Sequence, residues 1–376
     1  MKILHVNINY FGSPSLHGGM VEHLTKIGIH NTVMVPTDYK ICYDNTKAYA
    51  DVIIVKCFSR FDRLIFDYKQ YKIKKALESS VDVSEFDCLH AHTLFSDGNC
   101  VRNISKKYNI PYIVAVRNTD VNTFFKYAFY LRERGIKIMW DAAAVVFLSK
   151  SYRDYVINNY VPDRFKNDIL SKSVIIPNGI DDFWFANKYK RLNYDNGKLL
   201  KIVYAGEITK NKNITAIQKA IHVLRERGYE AQLNVVGNIV DESEYKIISK
   251  DIYTTYTSRV PKEELMVKYR ENDIFVMPSF TESFGLVYAE AMSQGLPVLY
   301  TKGQGFDEQF AEGDVGFRVD PYSAPDIADK IELVLKDYDS ISKRCIDMVD
   351  TFAWDKIAEE YAGLYNQVCV DASANC

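Results

Sequence analysis

Residues 273–298 read Asp-Ile-Phe-Val-Met-Pro-Ser-Phe-Thr-Glu-Ser-Phe-Gly-Leu-Val-Tyr-Ala-Glu-Ala-Met-Ser-Gln-Gly-Leu-Pro-Val. The apolar run at 273–279, with Pro278 near its end, predicts a buried parallel strand. Residues 285–294 have a helix-forming composition, and Gly295 and Pro297 mark the end of that helix. The stretch therefore predicts a strand, a loop and a helix in an α/β protein.

The loop of this unit is a candidate binding site, because open α/β sheets bind ligands outside the carboxyl ends of their strands. Backbone N–H groups at Phe284, Gly285 and Leu286 would form an anion cradle at the helix start. Glu282 and Glu290 frame that cradle. Since a carboxylate does not favour a phosphate, their expected targets are uncharged sugar and ribose hydroxyls. The simpler alternative is a helix whose acid stabilises the helix dipole.

The motif Pro-Ser-x-x-Glu-x-Phe-Gly-x-x-x-x-Glu-Ala-Met-x-x-Gly-x-Pro-Val resembles the central motif of the retaining family-4 glycosyltransferases of GT-B fold. The resemblance implies two Rossmann-like, doubly wound α/β domains that face each other across a cleft. It assigns Glu282 to the donor sugar and Glu290 to the nucleotide ribose. The donor-binding loop then includes Ser283, Phe284, Gly285 and Leu286.

The chain has 376 residues, which favours two domains over one large core. Strand and helix patterns alternate throughout, as in doubly wound proteins. We expect an acceptor-binding domain at 1–187, a nucleotide-sugar domain at 188–352 and, from the resemblance, a helix at 353–376 that packs back on the first domain. The polar residues from about 186 to 199, with Asn-Gly at 196–197, predict the linker.

The net charge of −2 hides an asymmetry between the two halves. Residues 1–190 carry a net charge of +7 and the remainder −9. A basic half suits an anionic acceptor or a membrane surface. Nucleic acid is not predicted as a partner, because no nucleic-acid-binding motif is present.

Residues 60–78 form a candidate basic amphipathic helix. Lysines and arginines are interleaved with apolar residues that fall near one stripe of the helix. These apolar residues are Phe61, Leu64, Ile65, Tyr68 and Tyr71. Such a helix can lie on an anionic membrane. The alternative is a solvated helix that packs on its own domain.

Seven cysteines are scattered without a Cys-x-x-Cys pattern, which predicts reduced thiols. The apolar run at the N-terminus is too short for a signal peptide. No run approaches the ~18 consecutive apolar residues of a membrane span. We therefore expect a cytoplasmic protein, with peripheral contact to the inner face of the plasma membrane as the extension of the membrane hypothesis.

A first strand at 2–8 is predicted to open onto a glycine-containing loop at 9–19, followed by a helix at 20–27. Glycine permits close approach of the backbone to a ligand. The family also carries a Gly-Gly loop after its first strand, near the donor phosphates. The resemblance therefore places Gly18 and Gly19 at the donor; a flexible loop is the alternative.

Residues 111–120 predict another buried strand with a polar end. Relatives often show His-Gly-x-Asp there, whereas this chain has Arg117 and keeps Asp120. A guanidinium cannot act as a base at neutral pH, but it can stabilise a departing phosphate or bind an acidic acceptor. A salt bridge between Arg117 and Asp120 is the equally weighted alternative.

A second strand–loop–helix series begins at residue 201, and its loop contains Lys210 and Lys212. Lysine at a helix start opposes the dipole unless an anion binds there. The family has lysine at the position of Lys212, which implies contact with the diphosphate, but arginine where this chain has Glu207. Lys210 or Arg259 is expected to replace that missing cation.

No metal site is predicted. His90 and His92 share a strand face, but their expected role is structural. Asp337-Tyr-Asp339 matches a metal-binding Asp-x-Asp, yet it follows a helical stretch and is treated as chance.

The resulting hypothesis is a metal-independent, retaining hexosyltransferase of cell-surface polysaccharide synthesis. It would use a nucleotide-diphosphate sugar, with UDP preferred over GDP, and a glycan or lipid-linked acceptor. Glu282, Lys212 and Arg117 are the candidate catalytic residues, and no further cofactor is expected. The alternatives are a non-catalytic sugar-nucleotide-binding protein and an epimerase on the same fold.

Overall fold

The computed structural model describes residues 1–12, 14–41, 43, 49–191 and 199–374. They form two compact units. The N-terminal unit comprises Met1–Leu148, Arg153–Gly179 and Trp354–Cys376, and the C-terminal unit comprises Ser149–Tyr152 and Ile180–Ala353. The chain thus changes unit after Gly179, earlier than the expected boundary at 187. Of the expected linker at 186–199, residues 192–198 lie outside the described part.

The N-terminal unit is built on a parallel sheet of seven strands in the order β3-β2-β1-β4-β5-β6-β7. Its central strands are buried on both faces, which is why they are short apolar runs. The strands are β1 Lys2–Val6, β2 His30–Thr37, β3 Asp51–Lys56, β4 Cys88–Ala91, β5 Tyr112–Ala115, β6 Ala144–Phe147 and β7 Ser173–Ile175.

Six α-helices of the described residues connect the strands of this sheet, and residues 150–152 of the fifth belong to the C-terminal unit. They are α1 Pro14–Lys26, α2 Phe66–Ser80, α3 Gly98–Tyr108, α4 Arg132–Asp141, α5 Lys150–Tyr160 and α6 Asp163–Ser171. The expected helix at 60–78 is present as a 3-10 turn at Phe61–Leu64 followed by α2. One expectation was wrong in detail: helix α1 starts at Pro14 instead of residue 20.

The C-terminal unit contains six parallel strands in the order β10-β9-β8-β11-β12-β13. The strands are β8 Leu200–Ala205, β9 Ala231–Val236, β10 Thr254–Thr257, β11 Ile274–Met277, β12 Val298–Thr301 and β13 Gly316–Val319. Its helices are α7 Asp182–Ala186, α8 Ile214–Glu226, α9 Glu242–Ile248, α10 Lys262–Arg270, α11 Leu286–Ser293, α12 Ala324–Lys336 and α13 Tyr338–Met348.

The last helix, α14 at Trp354–Ala374, belongs to the N-terminal unit. Trp354, Ile357, Tyr361 and Tyr365 join its hydrophobic core together with residues of α1 and β1. The predicted fold class, with two doubly wound units and a returning C-terminal helix, is confirmed. Within the described residues, no helix has both the length and the apolar character that a bilayer span requires.

The described cysteines are free thiols: Cys57, Cys88, Cys100, Cys345 and Cys369. The other two, Cys42 and Cys376, lie outside the described residues. This agrees with the expectation of reduced thiols for the part of the chain that can be seen.

Candidate functional site

The stretch at 273–298 forms the predicted strand, loop and helix. Strand β11 ends at Met277, and α11 begins at Leu286 after Gly285. Gly285 has φ 76°, and a Cβ there would lie 2.6 Å from the ring of Tyr288. The left-handed backbone and the close ring both require glycine, so the loop enters the helix with one defined geometry.

The start of α11 presents backbone donors, as predicted. Among the described residues, the N–H groups of Phe284, Gly285 and Leu286 have no hydrogen-bond acceptor. The Phe284 ring is buried and packs at 5.4 Å against that of Phe352, which anchors the loop. Together with the helix dipole, these donors can stabilise an anion.

Lys212 and Glu282 meet beside this loop. The Lys212 Nζ lies 2.6 Å from Glu282 Oε2, and only 21% and 12% of the two side chains are exposed. The other carboxylate oxygen of Glu282 accepts the backbone N–H of Ser283 at 3.0 Å. Two residues 70 positions apart in the chain therefore place a positive and a negative charge at one point.

Asn211 connects the lysine turn to the glutamate loop. Its side chain donates to the carbonyl of Thr281 at 2.9 Å and accepts from the N–H of Thr281 at 3.1 Å. Asn213, with φ 53°, donates to the carbonyl of Pro278 at 3.2 Å. These bonds fix the position of Lys212 relative to Glu282. Neither asparagine was predicted as a site residue, because the local signal was limited to a turn-forming residue on each side of Lys212.

A second loop, after β12, holds Glu282 from another side. The side-chain oxygen of Gln304 accepts a hydrogen bond from the backbone N–H of Glu282 at 2.9 Å. The backbone N–H of Gly305 donates to the backbone carbonyl of Glu282 at 2.8 Å. A Cβ on Gly305 would lie 1.7 Å from the carbonyl oxygen of Ser283. Only glycine permits this approach, so Gly305 and Gln304 position the site. Neither residue was among the predicted site residues.

Glu290 lies on α11 near Tyr269 and Asp181. Burial raises the pKa of Glu290 to about 7; the Tyr269 hydroxyl opposes this shift and the negative charge of Asp181 adds to it. Near neutral pH its carboxyl group is therefore balanced between its neutral and charged forms. It can accept a hydrogen bond from a hydroxyl group in either form, and more strongly when charged.

The predicted auxiliary cations lie in more open positions. Lys210 and Arg259 are exposed, as is Glu207. Lys210 belongs to the same 3-10 turn as Lys212. The structure thus brings Lys212 to Glu282, while the contribution of Lys210 and Arg259 to donor binding stays a prediction.

In the N-terminal unit, Gly18 and Gly19 lie inside α1, so the expected loop at this point was wrong. A Cβ on Gly19 would lie 2.7 Å from Nε1 of Trp354, whereas one on Gly18 would meet nothing within 4 Å. Packing of Trp354 therefore explains why residue 19 is glycine. A role of either glycine at the donor stays a prediction.

Arg117 and Asp120 contact each other through the backbone. The Asp120 carboxylate accepts the N–H groups of Arg117, Leu94 and Phe95 at 2.9–3.0 Å. The Arg117 guanidinium donates to Asn178 Oδ1 at 2.7 Å. Burial raises the pKa of Asp120 to about 6 despite these backbone bonds. Asp120 therefore shapes the loop, and Arg117 is held by a neutral amide.

His90 and His92 join His5 in a buried cluster whose ligand atoms lie within 4.8 Å of one another. His5 Nδ1 lies 3.1 Å from His92 Nε2, and His90 Nδ1 lies 2.7 Å from the Tyr365 hydroxyl. Burial lowers the pKa of all three, and Arg117 adds to this for His90 and His92. Because the same positive charge opposes a bound cation, the arrangement favours the structural role.

Two family models match the chain. Residues 19–182 match glycosyltransferase family 4, and residues 187–348 match glycosyl transferases group 1. D-inositol 3-phosphate glycosyltransferase of Paenarthrobacter aurescens (strain TC1) is 25% identical over 73% of this chain and 71% of its own length. Capsular polysaccharide biosynthesis glycosyltransferase CapM of Staphylococcus aureus is 28% identical over 60% of this chain and 61% of its own.

Solved structures share the fold at low identity. Sucrose-phosphate synthase from Thermosynechococcus elongatus has a TM-score of 0.76 at 18% identity, over 99% of this chain and 100% of that one. Anabaena HepE in complex with UDP and glucose has a TM-score of 0.70 at 15% identity, over 97% and 99%. At such identities the likeness concerns the fold alone.

Proposed function

Because the chain belongs to glycosyltransferase family 4 and has the GT-B fold, we propose that it transfers a hexose-type sugar from a nucleotide-diphosphate donor, with retention and without a metal ion. The proposed acceptor is a glycan or a lipid-linked sugar of cell-surface polysaccharide synthesis. The observation that carries the proposal is the Lys212–Glu282 pair beside the open amides at the start of α11.

The donor would occupy the C-terminal unit in a defined order. Its ribose hydroxyls bind Glu290, its diphosphate lies at Lys212 and the amides of residues 284–286, and its hexose lies near Glu282. As the sugar–phosphate bond breaks, negative charge grows on the diphosphate. A lysine fixed in place by Glu282 stabilises that charge without reorganisation during the reaction. The same cation and the helix dipole would take the place of a metal ion.

UDP is the proposed nucleotide; the Anabaena HepE structure, which has the same fold, contains UDP and glucose. The capsular polysaccharide relative supports a polysaccharide acceptor. We place the acceptor on the N-terminal unit, where Arg117 provides a cation. The reaction is proposed to occur in the cytoplasm, with contact of the basic N-terminal half to the inner face of the plasma membrane.

Thermal shifts with UDP, GDP, ADP and CMP sugars would identify the donor. A true donor should stabilise the protein by about 2.7 kcal/mol at a hundredfold excess over its dissociation constant. NMR of the product from that donor, with lipid-linked or glycan acceptors and with EDTA present, should show the donor's anomeric configuration. Stabilisation without transfer or hydrolysis would indicate a non-catalytic binding protein. An epimerised sugar nucleotide formed without acceptor would indicate an epimerase.

A further inference from the structure

Two segments of the N-terminal unit expose large apolar side chains. One lies around the start of α2, where Phe61 and Leu64 are 82% and 83% exposed, and the other precedes α4, where Phe129 and Tyr130 are 72% and 71% exposed. We call residues 60–75 and 126–134 the aromatic-basic face. Its exposed apolar residues are Phe61, Leu64, Ile65, Tyr68, Tyr71, Tyr127, Phe129 and Tyr130.

The two segments lie side by side. The rings of Phe66 and Phe124 are 6.3 Å apart, and the Arg134 guanidinium lies 5.4 Å from the Phe66 ring and pairs with Asp67. Phe124 also stacks at 4.8 Å on the buried ring of Phe95. These contacts hold the two segments next to each other, and both expose large apolar side chains. Only the first segment was predicted from the sequence, because the second pairs with it through long-range contacts.

The exposed groups are not the core side of α2. That side is formed by Gln70, Ile73, Ala76 and Leu77, all of which are buried. Tyr68 and Tyr71 are 48% and 60% exposed. Isolated exposed apolar residues are ordinary, but a contiguous patch of them marks an interaction surface.

The charge of the face selects the partner. Residues 60–75 contain six Lys and Arg against two Asp, and residues 126–134 contain three against one Glu, giving net charges of +4 and +2. Arg60, Lys75 and Lys126 are exposed, and the Lys126 ammonium lies over the ring of Tyr127 at 5.4 Å. Aromatic rings mixed with Lys and Arg form the composition that binds the interface of an anionic bilayer.

We propose that the aromatic-basic face docks on an anionic lipid bilayer. The apolar side chains enter the headgroup region, and the basic side chains lie at the lipid phosphates. The proposal specifies both segments of the docking surface and rests on exposure and charge, independently of sugar transfer. It can therefore stand or fail without a donor.

Co-sedimentation of the full chain with vesicles tests it. The protein should bind vesicles of phosphatidylcholine and phosphatidylglycerol in equal parts, bind pure phosphatidylcholine much more weakly, and dissociate at high salt. Phe129→Ser combined with Tyr130→Ser should weaken partitioning about tenfold or more. Lys75→Ala and Lys126→Ala should each weaken it about fivefold.

Matched controls lie on the C-terminal unit. Ile252 is 82% exposed and Lys250 is exposed, so Ile252→Ser and Lys250→Ala should leave partitioning unchanged. Unchanged melting temperatures would show that the variants fold. Equal binding to neutral and anionic vesicles, no vesicle binding, or wild-type partitioning of the Phe129/Tyr130 double variant would overturn the proposal. A further contradicting result would be a wild-type protein that does not bind vesicles and forms a dimer, if the Phe129/Tyr130 double variant is monomeric. The face would then be an interface between two copies of the chain.

Discussion

The two units fix their strand-end loops with different chemistry. In the C-terminal unit, the neutral side chains of Asn211 and Gln304 bind the backbone of the loop that carries Glu282. In the N-terminal unit, one buried carboxylate, Asp120, binds three backbone N–H groups around Arg117. Burial raises the pKa of Asp120 to about 6, whereas the neutral amides do not titrate.

The difference also concerns the charges that each loop presents. Lys212 is paired with a carboxylate, whereas Arg117 donates to the neutral Asn178. A lysine that already has an anionic partner is held in one place before a ligand arrives. The C-terminal unit therefore presents a preorganised site built on neutral supports. In the N-terminal unit, the residue that holds the loop is the carboxylate Asp120, and the Arg117 guanidinium donates to the amide of Asn178.

Gly305→Ala should produce the largest effect. The new Cβ would lie 1.7 Å from the carbonyl oxygen of Ser283 and force the backbone of the Glu282 loop to move. We expect the C-terminal unit to lose more than about 3 kcal/mol of unfolding free energy, measured by calorimetry. Gly18→Ala is the matched control: its Cβ meets nothing within 4 Å, and alanine in a helix adds about 0.5–1 kcal/mol of stability. Equal melting of the two variants would contradict the packing described for Gly305.

Asp120→Asn should have the second largest effect: the unfolding free energy of the N-terminal unit should fall by about 2–3 kcal/mol. Asparagine has one acceptor oxygen in place of two, and its amino group would face a backbone donor. Denaturant unfolding, followed by a probe in each unit, measures this loss. If the variant is as stable as the wild type, the carboxylate does not hold this loop.

Asn211→Ala should lower the unfolding free energy by a smaller amount, about 1–2 kcal/mol, because Gln304 and Gly305 still bind the Glu282 loop. Turnover should fall more than donor affinity, since Lys212 would lose its fixed position while its charge remains. Steady-state kinetics and calorimetric unfolding test the two parts separately. A fall in stability with unchanged turnover would make Asn211 a purely structural residue.

The smallest predicted effect on ligand binding is a change of a few-fold in nucleotide affinity with pH, caused by ionisation of Glu290. Its raised pKa of about 7 means that the folded protein ionises it as pH rises through neutrality. A carboxylate accepts a ribose hydroxyl more strongly than a carboxylic acid, so affinity should rise from pH 6 to pH 8. Titration calorimetry across this range measures it, and Glu290→Gln corrects for ionisation of the nucleotide. The same slope in both proteins would exclude Glu290 as the titrating group.

Ionisation of Glu290 also affects stability, with a definite sign. The pKa of Glu290 is higher in the folded protein than in the unfolded chain. The contribution of protonated Glu290 to the unfolding free energy is therefore fully present below the unfolded pKa and is lost as pH rises to about 7. Glu290→Gln should therefore gain stability relative to the wild type between pH 5 and pH 8, by up to about 3 kcal/mol.

The parts of the site that sequence analysis predicted are local. The strand, loop and helix at 273–298 follow from residues close in sequence. The family motif in this stretch pointed to Glu282 and Glu290, and a separate family position pointed to Lys212. The supports were missed because they depend on contacts between distant segments. Gln304 and Gly305 contact Glu282 because β12 pairs with β11, and this pairing is not visible in the local sequence. Gly19 resembled a ligand loop because the Trp354 indole that packs on it comes from the other end of the chain.

Isothermal titration of UDP and of uridine tests most directly whether Lys212 binds the diphosphate and Glu290 the ribose. Glu290→Gln should weaken both ligands about tenfold, and Lys212→Ala should weaken UDP while leaving uridine unchanged. Lys250→Ala, an exposed lysine of the same unit, should behave as wild type. Wild-type affinity for UDP in both site variants, in folded protein, would contradict the account.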